Sequence, residues 1–343
     1  MKIGIQPTPI GFTNHWIKYC EDNKIPYKII DCYRNDVIEQ LEDCDAFMWN
    51  HDLLLSKDNI LAKRILFAVE HSGKITFPKF EEGWHYDDKI AQKFLLESIK
   101  APIVPSFLFT NLNKALEWSG QTNYPKVFKL KGGAGSSNVK LIKSKREAVK
   151  VINKSFKKGH KPVNKDYFFE EALRRYKQKE IGSISFLKSM VKYFLPVRKE
   201  FLQIKEQGYV YFQEFIPNND NDYRIVVIDK NKAFGIKRYN RKDDFRASGS
   251  GKIEYLDESN CPKDCLKIAF DVAKRLDMDS IAYDFIYDKD KNPLIIEITF
   301  AFGSKASKAS GYWDEDFKWH SEKIYMQQWM VENVMKRVKH NNL

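Results

Sequence analysis

The chain has 343 residues, of which 30% are charged and 43% hydrophobic, and its formal net charge is +12. This length allows about two or three hydrophobic cores and favours a multi-domain enzyme over a small binding module, and no apolar run reaches the roughly 18–20 residues that a membrane span requires. Five cysteines at irregular spacing argue against a disulfide framework and indicate a reducing cytoplasm.

The first part of the chain alternates short apolar strands with helical patterns. We predict strands at Lys2–Ile5, Tyr27–Ile30, Asp45–Trp49 and Ile75–Phe77, and helices at Asn14–Asn23, Asp36–Glu42 and Lys57–Ser72. Such alternation predicts βαβ units and a parallel sheet with helices on both faces. This unit is predicted to end near residue 85.

A glycine-rich loop at residues 131–137 dominates the next part. A helix at Asp87–Ile99, a strand at Val104–Phe109 and a helix at Asn113–Ser119 precede it, and strands at Pro125–Leu130 and Val139–Ile142 flank it. The backbone N–H groups of such a hairpin tip can contact a polyphosphate, and a flexible connection is the alternative. The loop is neither a Walker A loop nor a dinucleotide fingerprint, because a strand follows it where those motifs open a helix.

A basic segment follows, predicted to be an interrupted helical region over residues 155–205. Between Arg174 and Lys205 it has nine basic and two acidic residues, a net charge of +7. Residues 184–195 mix large apolar side chains with lysines, a pattern that fits either a helix on an anionic membrane surface or a lid helix packed on its own domain. Nucleic acid is not expected as a partner, since no recognised binding motif accompanies the segment.

The C-terminal part returns to strands and ends in a hairpin. We predict strands at Tyr209–Phe215, Tyr223–Ile228 and Ala233–Tyr239, a helix at Lys263–Leu276, hairpin strands at 284–287 and 293–299, and a closing helix from Glu315 onward. Strand alternation puts Glu297 and Thr299 on one face, and hairpin pairing can bring Asp284 opposite Glu297. Two facing carboxylates are ligands that suit Mg²⁺, and two solvated carboxylates are the alternative.

In this order, the pieces resemble the ATP-grasp superfamily, and most closely its glutathione-synthetase-like and ribosomal-S6-modification-like carboxylate–amine ligases. The resemblance implies an α/β fold of ATP-grasp architecture. Its parts would be an N-terminal parallel-sheet α/β domain at 1–85, a central lid subdomain at 86–207 with the basic insertion at 155–205, and a C-terminal antiparallel-sheet α+β subdomain at 208–343.

The resemblance also implies which residues bind Mg·ATP. By similarity, the phosphates would contact Lys89 of an Asp-Lys signature, Lys129 before the loop, and the loop residues Gly132, Gly133, Gly135 and Ser136. The adenine strand would be Gln213, Glu214, Phe215 and Ile216, and the ribose would be held by Asp222 or Asp220. Around the transferred group would lie Arg224, Lys237, Arg238, Arg246 and Ser248. The metal ligands would be Asp284, Glu297 and Thr299, and both Ser248 and Thr299 stand where the family usually has asparagine.

The implied reaction is the ATP-dependent joining of a carboxylate and an amine through an acyl phosphate. The alternatives are a kinase of the same architecture and a nucleotide-binding protein that has lost catalysis with the two asparagines. Residues 301–305 and 311–314 resemble ATP-grasp proteins associated with bacterial surface-polysaccharide assembly, which implies small-molecule or sugar-linked substrates. The expected location is the cytoplasm, with peripheral contact to the inner membrane face through 184–205 as one option.

Overall fold

The computed structural model describes residues 1–9, 11–132, 138–163, 165–177, 181–197, 201, 204–242 and 244–341. The helices are α1 (Thr13–Asp22), α2 (Val37–Gln40), α3 (Ser56–His71), α4 (Phe80–Gly83), α5 (Lys89–Ser98), α6 (Leu112–Gln121), α7 (Lys145–Lys157), α8 (Lys165–Lys177), α9 (Ser183–Phe194), α10 (Lys263–Arg275) and α11 (Met326–Asn341). The strands are β1 (Ile3–Ile5), β2 (Tyr27–Ile29), β3 (Ala46–Met48), β4 (Ile75–Phe77), β5 (Ser106–Phe109), β6 (Lys126–Lys129), β7 (Val139–Ile142), β8 (Val210–Glu214), β9 (Asn221–Ile228), β10 (Lys232–Tyr239), β11 (Ile253–Tyr255), β12 (Ser280–Tyr287), β13 (Pro293–Thr299), β14 (Tyr312–Asp314) and β15 (Trp319–His320).

The N-terminal sheet is parallel, with strand order β2-β1-β3-β4, as the alternation of strands and helices predicted. Both of its faces are covered. Ala46 and Met48 of β3 pack into one core with Trp16 of α1, whereas Phe47 between them packs into a second core with Leu66 of α3. Successive strand residues point to opposite faces, so this three-residue strand contributes to both layers.

The central sheet is antiparallel, with strand order β5-β8-β6-β7. Strand β8 pairs with β5 and β6, so this sheet extends past the boundary predicted at residue 208. Helices α6 and α7 cover one face, where Ala115 and Ile152 are fully buried. Helix α7 was not predicted, since it begins before the basic segment at 155–205. That segment itself forms α8 and α9.

The C-terminal sheet is also antiparallel, with order β13-β12-β9-β10-β14-β15 and β11 paired to β10. The prediction of a helix from Glu315 onward is wrong at its start, because β15 follows and α11 begins only at Met326. The Asp314 carboxylate accepts hydrogen bonds from the backbone N–H groups of Asp316 and Lys318, both at 3.0 Å, which closes a tight turn there.

Helix α11 packs between the N-terminal sheet and the C-terminal sheet. Its Met330, Val331 and Val334 are fully buried in one core with Ile5 of β1 and Phe234 of β10. The C-terminal sheet is thereby packed against the N-terminal unit, which positions loops of that unit beside the charged end of the sheet. No helix in the described ranges is long and apolar enough to cross a bilayer.

Candidate functional site

A cavity of about 390 Å³ lies between the central and C-terminal sheets, and loops of the N-terminal unit close one side of it. Most residues predicted to form the site line this cavity. They are Lys89, Lys129, Gln213, Glu214, Phe215, Ile216, Asp222, Arg224, Arg238, Arg246, Ser248, Asp284, Glu297 and Thr299.

Strand alternation explains why the charged side chains meet here. On β9, Asp222 and Arg224 share a face with Val226, which is buried in the core beneath α11. Asp284 pairs directly with Arg224 on one side and with Glu297 on the other, so the predicted pairing of the two carboxylates is confirmed. One face of the C-terminal sheet is therefore apolar at one end, under α11, and charged at the other.

The centre of the charged end is a network of ion pairs. Arg224 donates to both carboxylate oxygens of Asp284, with distances of 2.7 and 2.8 Å. Arg238 reaches Asp284 at 2.8 Å and Asp222 at 2.6 Å. Burial alone would raise the pKa of Asp284, but Arg224 and Arg238 outweigh it and hold that pKa below its usual value. Asp284 is thus ionised, and both its oxygens contact guanidinium groups.

Lys89 enters the cavity from the first turn of α5. The preceding residue, Asp88, caps the helix by accepting hydrogen bonds from the N–H groups of Ile90 and Ala91 at 3.1 and 3.0 Å. The Lys89 ammonium lies 3.0 Å from the Glu297 carboxylate. Burial lowers the pKa of Lys89, but Glu297 and Asp87 outweigh it, so the pKa lies above its usual value. Lys89 is therefore held charged beside one predicted metal ligand.

Lys129 is the second lysine of the cavity, and its ammonium contacts a neutral amide where that of Lys89 contacts a carboxylate. Its ammonium donates to the side-chain oxygen of Gln213 at 2.6 Å, and only 7% of the residue is exposed. Burial lowers the pKa of Lys129 to about 8, although Glu297 counteracts the effect. This ammonium is poised to lose its proton slightly above neutral pH unless an anion binds beside it.

The predicted adenine strand offers backbone groups and apolar walls. The N–H of Glu214 donates to the carbonyl of Pro105 at 2.8 Å and is therefore engaged, and the contact of Glu214 and Ile216 with an adenine stays a prediction. The Glu214 carboxylate pairs with Lys126 at 2.8 Å. Apolar side chains that line the cavity include Val104, Val127, Ile286 and Ile296. A flat aromatic ring fits between such walls.

Arg246 and Ser248 lie on the segment between β10 and β11. Arg246 pairs with the Asp244 carboxylate at 2.6 Å, and its guanidinium lies over the Tyr167 ring at 5.3 Å from the centroid. The carbonyl oxygen of Ser248 accepts a hydrogen bond from Arg241 at 2.8 Å. These contacts hold the segment against the lid helix α8, so that Arg246 is fixed at the mouth of the cavity.

The donors fit a single Mg²⁺ better than two. The Thr299 hydroxyl donates to the carbonyl of Ala301 at 2.7 Å and accepts from the N–H of Ala301 at 3.3 Å, which closes a local turn, and its role as a metal ligand stays a prediction. Within the described ranges, no group of three or more His, Cys, Asp or Glu residues is arranged around one point. Asp284 and Glu297, completed by phosphate oxygens, match the usual ligand set of Mg²⁺. A Mg²⁺ ion held by Asp284 and Glu297 would require that Arg224, Arg238 and Lys89 give up contacts with these carboxylates.

Three predicted residues do not join the cavity. Lys237 faces the opposite side of the sheet, where its ammonium lies 4.9 Å from the centroid of the Tyr239 ring, because alternation turns it away from its neighbour Arg238. Asp220 is exposed to solvent at the end of β9. The N–H of Gly132 donates to Glu206 at 3.3 Å. The predictions for Gly133, Gly135 and Ser136 fall outside the described residues.

Other cavity residues were missed by the sequence analysis. Asp52 and Tyr86 come from loops of the N-terminal unit, and Asn219 and Asn240 flank the ends of β9 and β10. Asp52 had a usable signal, because it follows β3 at the carboxyl edge of a parallel sheet, where α/β proteins bind ligands. The two asparagines had no such signal in the sequence. Their contact is a hydrogen bond from the side chain of Asn240 to the Asn219 carbonyl, at 2.8 Å, which forms only in the folded chain.

Comparison with protein families gives two matches along the chain. Residues 198–314 match the RimK-like ATP-grasp domain, and residues 88–186 match the ATP-binding domain of the carbamoyl-phosphate synthase L chain. No curated protein matches the sequence.

Solved structures match over nearly the full chain. The D-cycloserine synthetase DcsG is 10% identical with a TM-score of 0.60, over 98% of this chain and 100% of its own. The D-alanine–D-alanine ligase from Bacillus anthracis complexed with ATP is 13% identical with a TM-score of 0.55, over 99% and 98%. The ATP-grasp ligase PsnB, complexed with minimal precursor, Mg and ADP, is 10% identical with a TM-score of 0.55, over 98% of both chains. At these identities, the likeness establishes the fold.

Proposed function

Because the chain has the ATP-grasp fold, as its sequence resemblance predicted, we propose that it is an ATP-dependent carboxylate–amine ligase. In this reaction, a carboxylate oxygen of the acid attacks the γ-phosphorus of ATP, ADP leaves, and an acyl phosphate remains. The nitrogen of an amine then attacks the acyl carbon, phosphate leaves, the nitrogen loses a proton, and an amide is formed.

One observation carries the proposal. Five cationic side chains from separate elements line one cavity together with Asp284 and Glu297. The cations are Lys89, Lys129, Arg224, Arg238 and Arg246. Ammonium and guanidinium groups gathered in one cavity suit a polyphosphate and the negatively charged carboxylate that must approach it, once Lys89 and Arg224 leave the carboxylates that they contact in the structure.

The residues of the chain act mainly by position and charge. Lys89 lies 3.0 Å from Glu297, and Lys129 is near enough for Glu297 to raise its pKa, so the two ammonium groups can together offset the repulsion between phosphate and an incoming carboxylate. Arg224 exchanges its contact with Asp284 for a phosphate oxygen. Mg²⁺, when held by Asp284 and Glu297, supplies further neutralisation of the phosphate charge.

Two alternatives remain as proposals. A kinase would transfer the γ-phosphoryl group to a hydroxyl, and it would form no acyl phosphate. A nucleotide-binding protein without catalysis is favoured by one observation, since the Thr299 hydroxyl is engaged with Ala301. Hydroxylamine distinguishes these cases, because it traps an acyl phosphate as a hydroxamate.

The first experiment is calorimetric titration of ATP with and without Mg²⁺ on the wild type and on Glu297→Gln. We expect Mg²⁺ to strengthen ATP binding in the wild type and to have little effect in the variant, because one ligand carboxylate is lost. Asp290→Asn is the matched control, since it removes an exposed carboxylate from the turn of the same hairpin. Equal Mg²⁺ dependence in the wild type and Glu297→Gln would overturn the metal assignment.

The second experiment tests catalysis with a panel of carboxylic acids, ATP, Mg²⁺ and hydroxylamine. We expect hydroxamate and ADP with the correct acid, and at least about a hundredfold loss of both in Glu297→Gln. ADP without hydroxamate would favour the kinase. ATP binding without ADP formation from any acid or alcohol in the panel would favour the binding protein.

For the substrates, we propose a small-molecule or sugar-linked carboxylate and an amine, used in the cytoplasm. The support is the resemblance of residues 301–305 and 311–314 to proteins of surface-polysaccharide assembly. Ala301, Phe302 and Gly303 line the same cavity as Glu297, which supports a contact between this segment and the group that is joined.

A further inference from the structure

Helix α9 is apolar on two faces, and only one of them is packed. On the inner face, Phe186 stacks on Tyr176 of α8 with 4.7 Å between ring centroids, and Tyr193 lies 4.8 Å from Phe169. These contacts account for the position of α9 on the lid. No residue of α9 is fully buried, so the helix rests on the surface of the protein.

The outer face of α9 is a stripe of exposed apolar side chains, which we call the α9 stripe. It consists of Ile184, Leu187, Val191 and Phe194, whose exposed fractions are 74%, 60%, 53% and 78%. Their spacing of three, four and three residues puts them on one side of the helix. Leu195, directly after the helix, is exposed by 54% and extends the stripe. Single exposed apolar residues are ordinary, but a contiguous row of five marks an interaction surface.

Positive charge adjoins the stripe on the helix itself. Lys188 and Lys192 lie one turn apart, and helical spacing places them along one border of the stripe. Both are exposed. A helix with apolar residues on one face and lysines at its border is typical of segments that lie in the interface of an anionic bilayer.

A groove of about 1350 Å³ continues this basic surface. Tyr193 and Phe194 line the groove at its α9 side, so the groove and the stripe meet at Phe194. Across from them, β7, α7 and the loop after α7 contribute lysines that form no ion pair with a carboxylate in the described part of the chain. These lysines are Lys140, Lys143, Lys150, Lys154, Lys158 and Lys161.

The lysines of this groove repel one another in the isolated protein. Lys150 and Lys154 of α7 and Lys158 directly after it follow each other at four-residue spacing, an arrangement in which like charges repel one another. Three acidic residues also line the groove, Asp166, Glu170 and Asp244, of which Asp244 is paired with Arg246, so the lysines outnumber the carboxylates there. A second copy of the chain, which is also strongly basic, would add repulsion to the same surface.

We propose that the α9 stripe and the lysine groove together dock this protein on an anionic membrane surface. The apolar side chains enter the boundary between headgroups and acyl chains, and the lysines contact anionic headgroups. The docking is reversible and needs no nucleotide, so it is independent of the proposed ligase function. The ATP cavity opens next to the groove, since Phe245 and Arg246 line both, and a docked protein therefore works within reach of the membrane.

The test is flotation of the full chain with vesicles of neutral phosphatidylcholine, or of phosphatidylcholine mixed with anionic phosphatidylglycerol. We expect binding to the anionic vesicles that weakens as salt is added, because the attraction is partly electrostatic. Binding of equal strength to the neutral vesicles would overturn the role of the lysines. No binding to anionic vesicles at low salt would overturn the proposal.

Two pairs of substitutions distinguish the contribution of the apolar side chains to vesicle binding from that of the lysines. Leu187→Glu with Val191→Glu should weaken vesicle binding by at least about tenfold, since it puts charge into the apolar face. Lys188→Gln with Lys192→Gln should weaken it by about fivefold per lysine. Both changes lie on an exposed surface, so circular dichroism and the melting temperature should stay at wild-type values.

Ile38→Glu with Ile60→Glu is the matched control, because these side chains are 51% and 58% exposed on other helices. We expect it to bind vesicles like the wild type. Unchanged vesicle binding by the α9 stripe variant would sink the proposal. So would a wild type that dimerises in solution without vesicles and becomes monomeric in that variant, because the stripe would then contact a second copy.

Discussion

At the scale of single residues, the cavity depends on charges that are not all permanent. The carboxylate of Asp284 is held ionised by two guanidinium groups, and Lys89 is held charged by Glu297. Lys129 differs, since burial, together with the charge of Lys89, lowers its pKa to about 8. The affinity for an anionic ligand should therefore change with pH through this one lysine.

We predict that ATP affinity is nearly constant below about pH 8 and falls above it, by up to about tenfold per pH unit. The sign follows from the free protein, in which Lys129 loses its proton above that pH, whereas bound phosphate favours the charged form. Calorimetric titration across this range measures the effect. In Lys129→Arg, whose guanidinium stays charged, the dependence should vanish. The same slope in both proteins would exclude Lys129 as its source.

At the scale of elements, helix α5 links stability to the site. Asp88 caps this helix, and the next residue is Lys89, which reaches Glu297. The Asp-Lys pair thus has two roles in one turn. Its first residue accepts hydrogen bonds from two N–H groups in the first turn that have no partner within the helix. Its second residue extends an ammonium group into the cavity.

We predict that Asp88→Ala lowers the free energy of unfolding by about 1 kcal/mol and also weakens ATP binding, because the first turn of α5 frays and Lys89 loses its position. Denaturant unfolding and ATP titration measure the two effects. Asn111→Ala removes the equivalent cap of α6, where Asn111 accepts from the N–H of Lys114 at 3.1 Å away from the cavity. It should cost a similar stability without changing ATP affinity. Loss of affinity in both variants would point to a global effect.

At the scale of the whole molecule, two buried histidines near the cavity make stability depend on pH. Among the described residues, the ring nitrogens of His51 and His85 have no hydrogen-bond partner. Burial, assisted by the charge of Lys63, lowers the pKa of His51 to about 3 from an ordinary 6.5. The pKa of His85 is lowered by burial to about 4. Both rings are therefore neutral in the folded protein at neutral pH.

We predict that these rings destabilise the fold in acid. A histidine whose folded pKa is lowered costs nothing above its unfolded pKa, and its contribution to stability is lost as the pH falls from about 6.5 towards the folded value. Between about pH 7 and about pH 5, the wild type should lose about 2 kcal/mol more than His51→Met. Methionine adapts to the aromatic neighbours Trp49 and Phe300. Denaturant unfolding at both pH values measures this, and parallel losses would contradict it.

The sequence analysis predicted the four strands and the first three helices of the N-terminal unit to within a few residues, because alternation of strands and helices is a local signal, and it missed the one-turn helix α4. It also predicted that Asp284 and Glu297 pair, because a hairpin with a short turn fixes its own register. It failed on the start of α11, where the side chain of Asp314 closes a turn that hydrophobic spacing does not reveal.

Local pattern by itself therefore determined the element types, the order that resembles the ATP-grasp superfamily, and the residues at the charged end of the sheet. Only the tertiary structure decided that Asp284 is bound by two arginines, that Thr299 serves a backbone turn, and that Lys237 faces away from the cavity. The physical reason is the distance along the chain over which each kind of interaction acts. Helical and strand periods act between neighbours in the chain, whereas ion pairing and burial depend on residues brought together from distant elements.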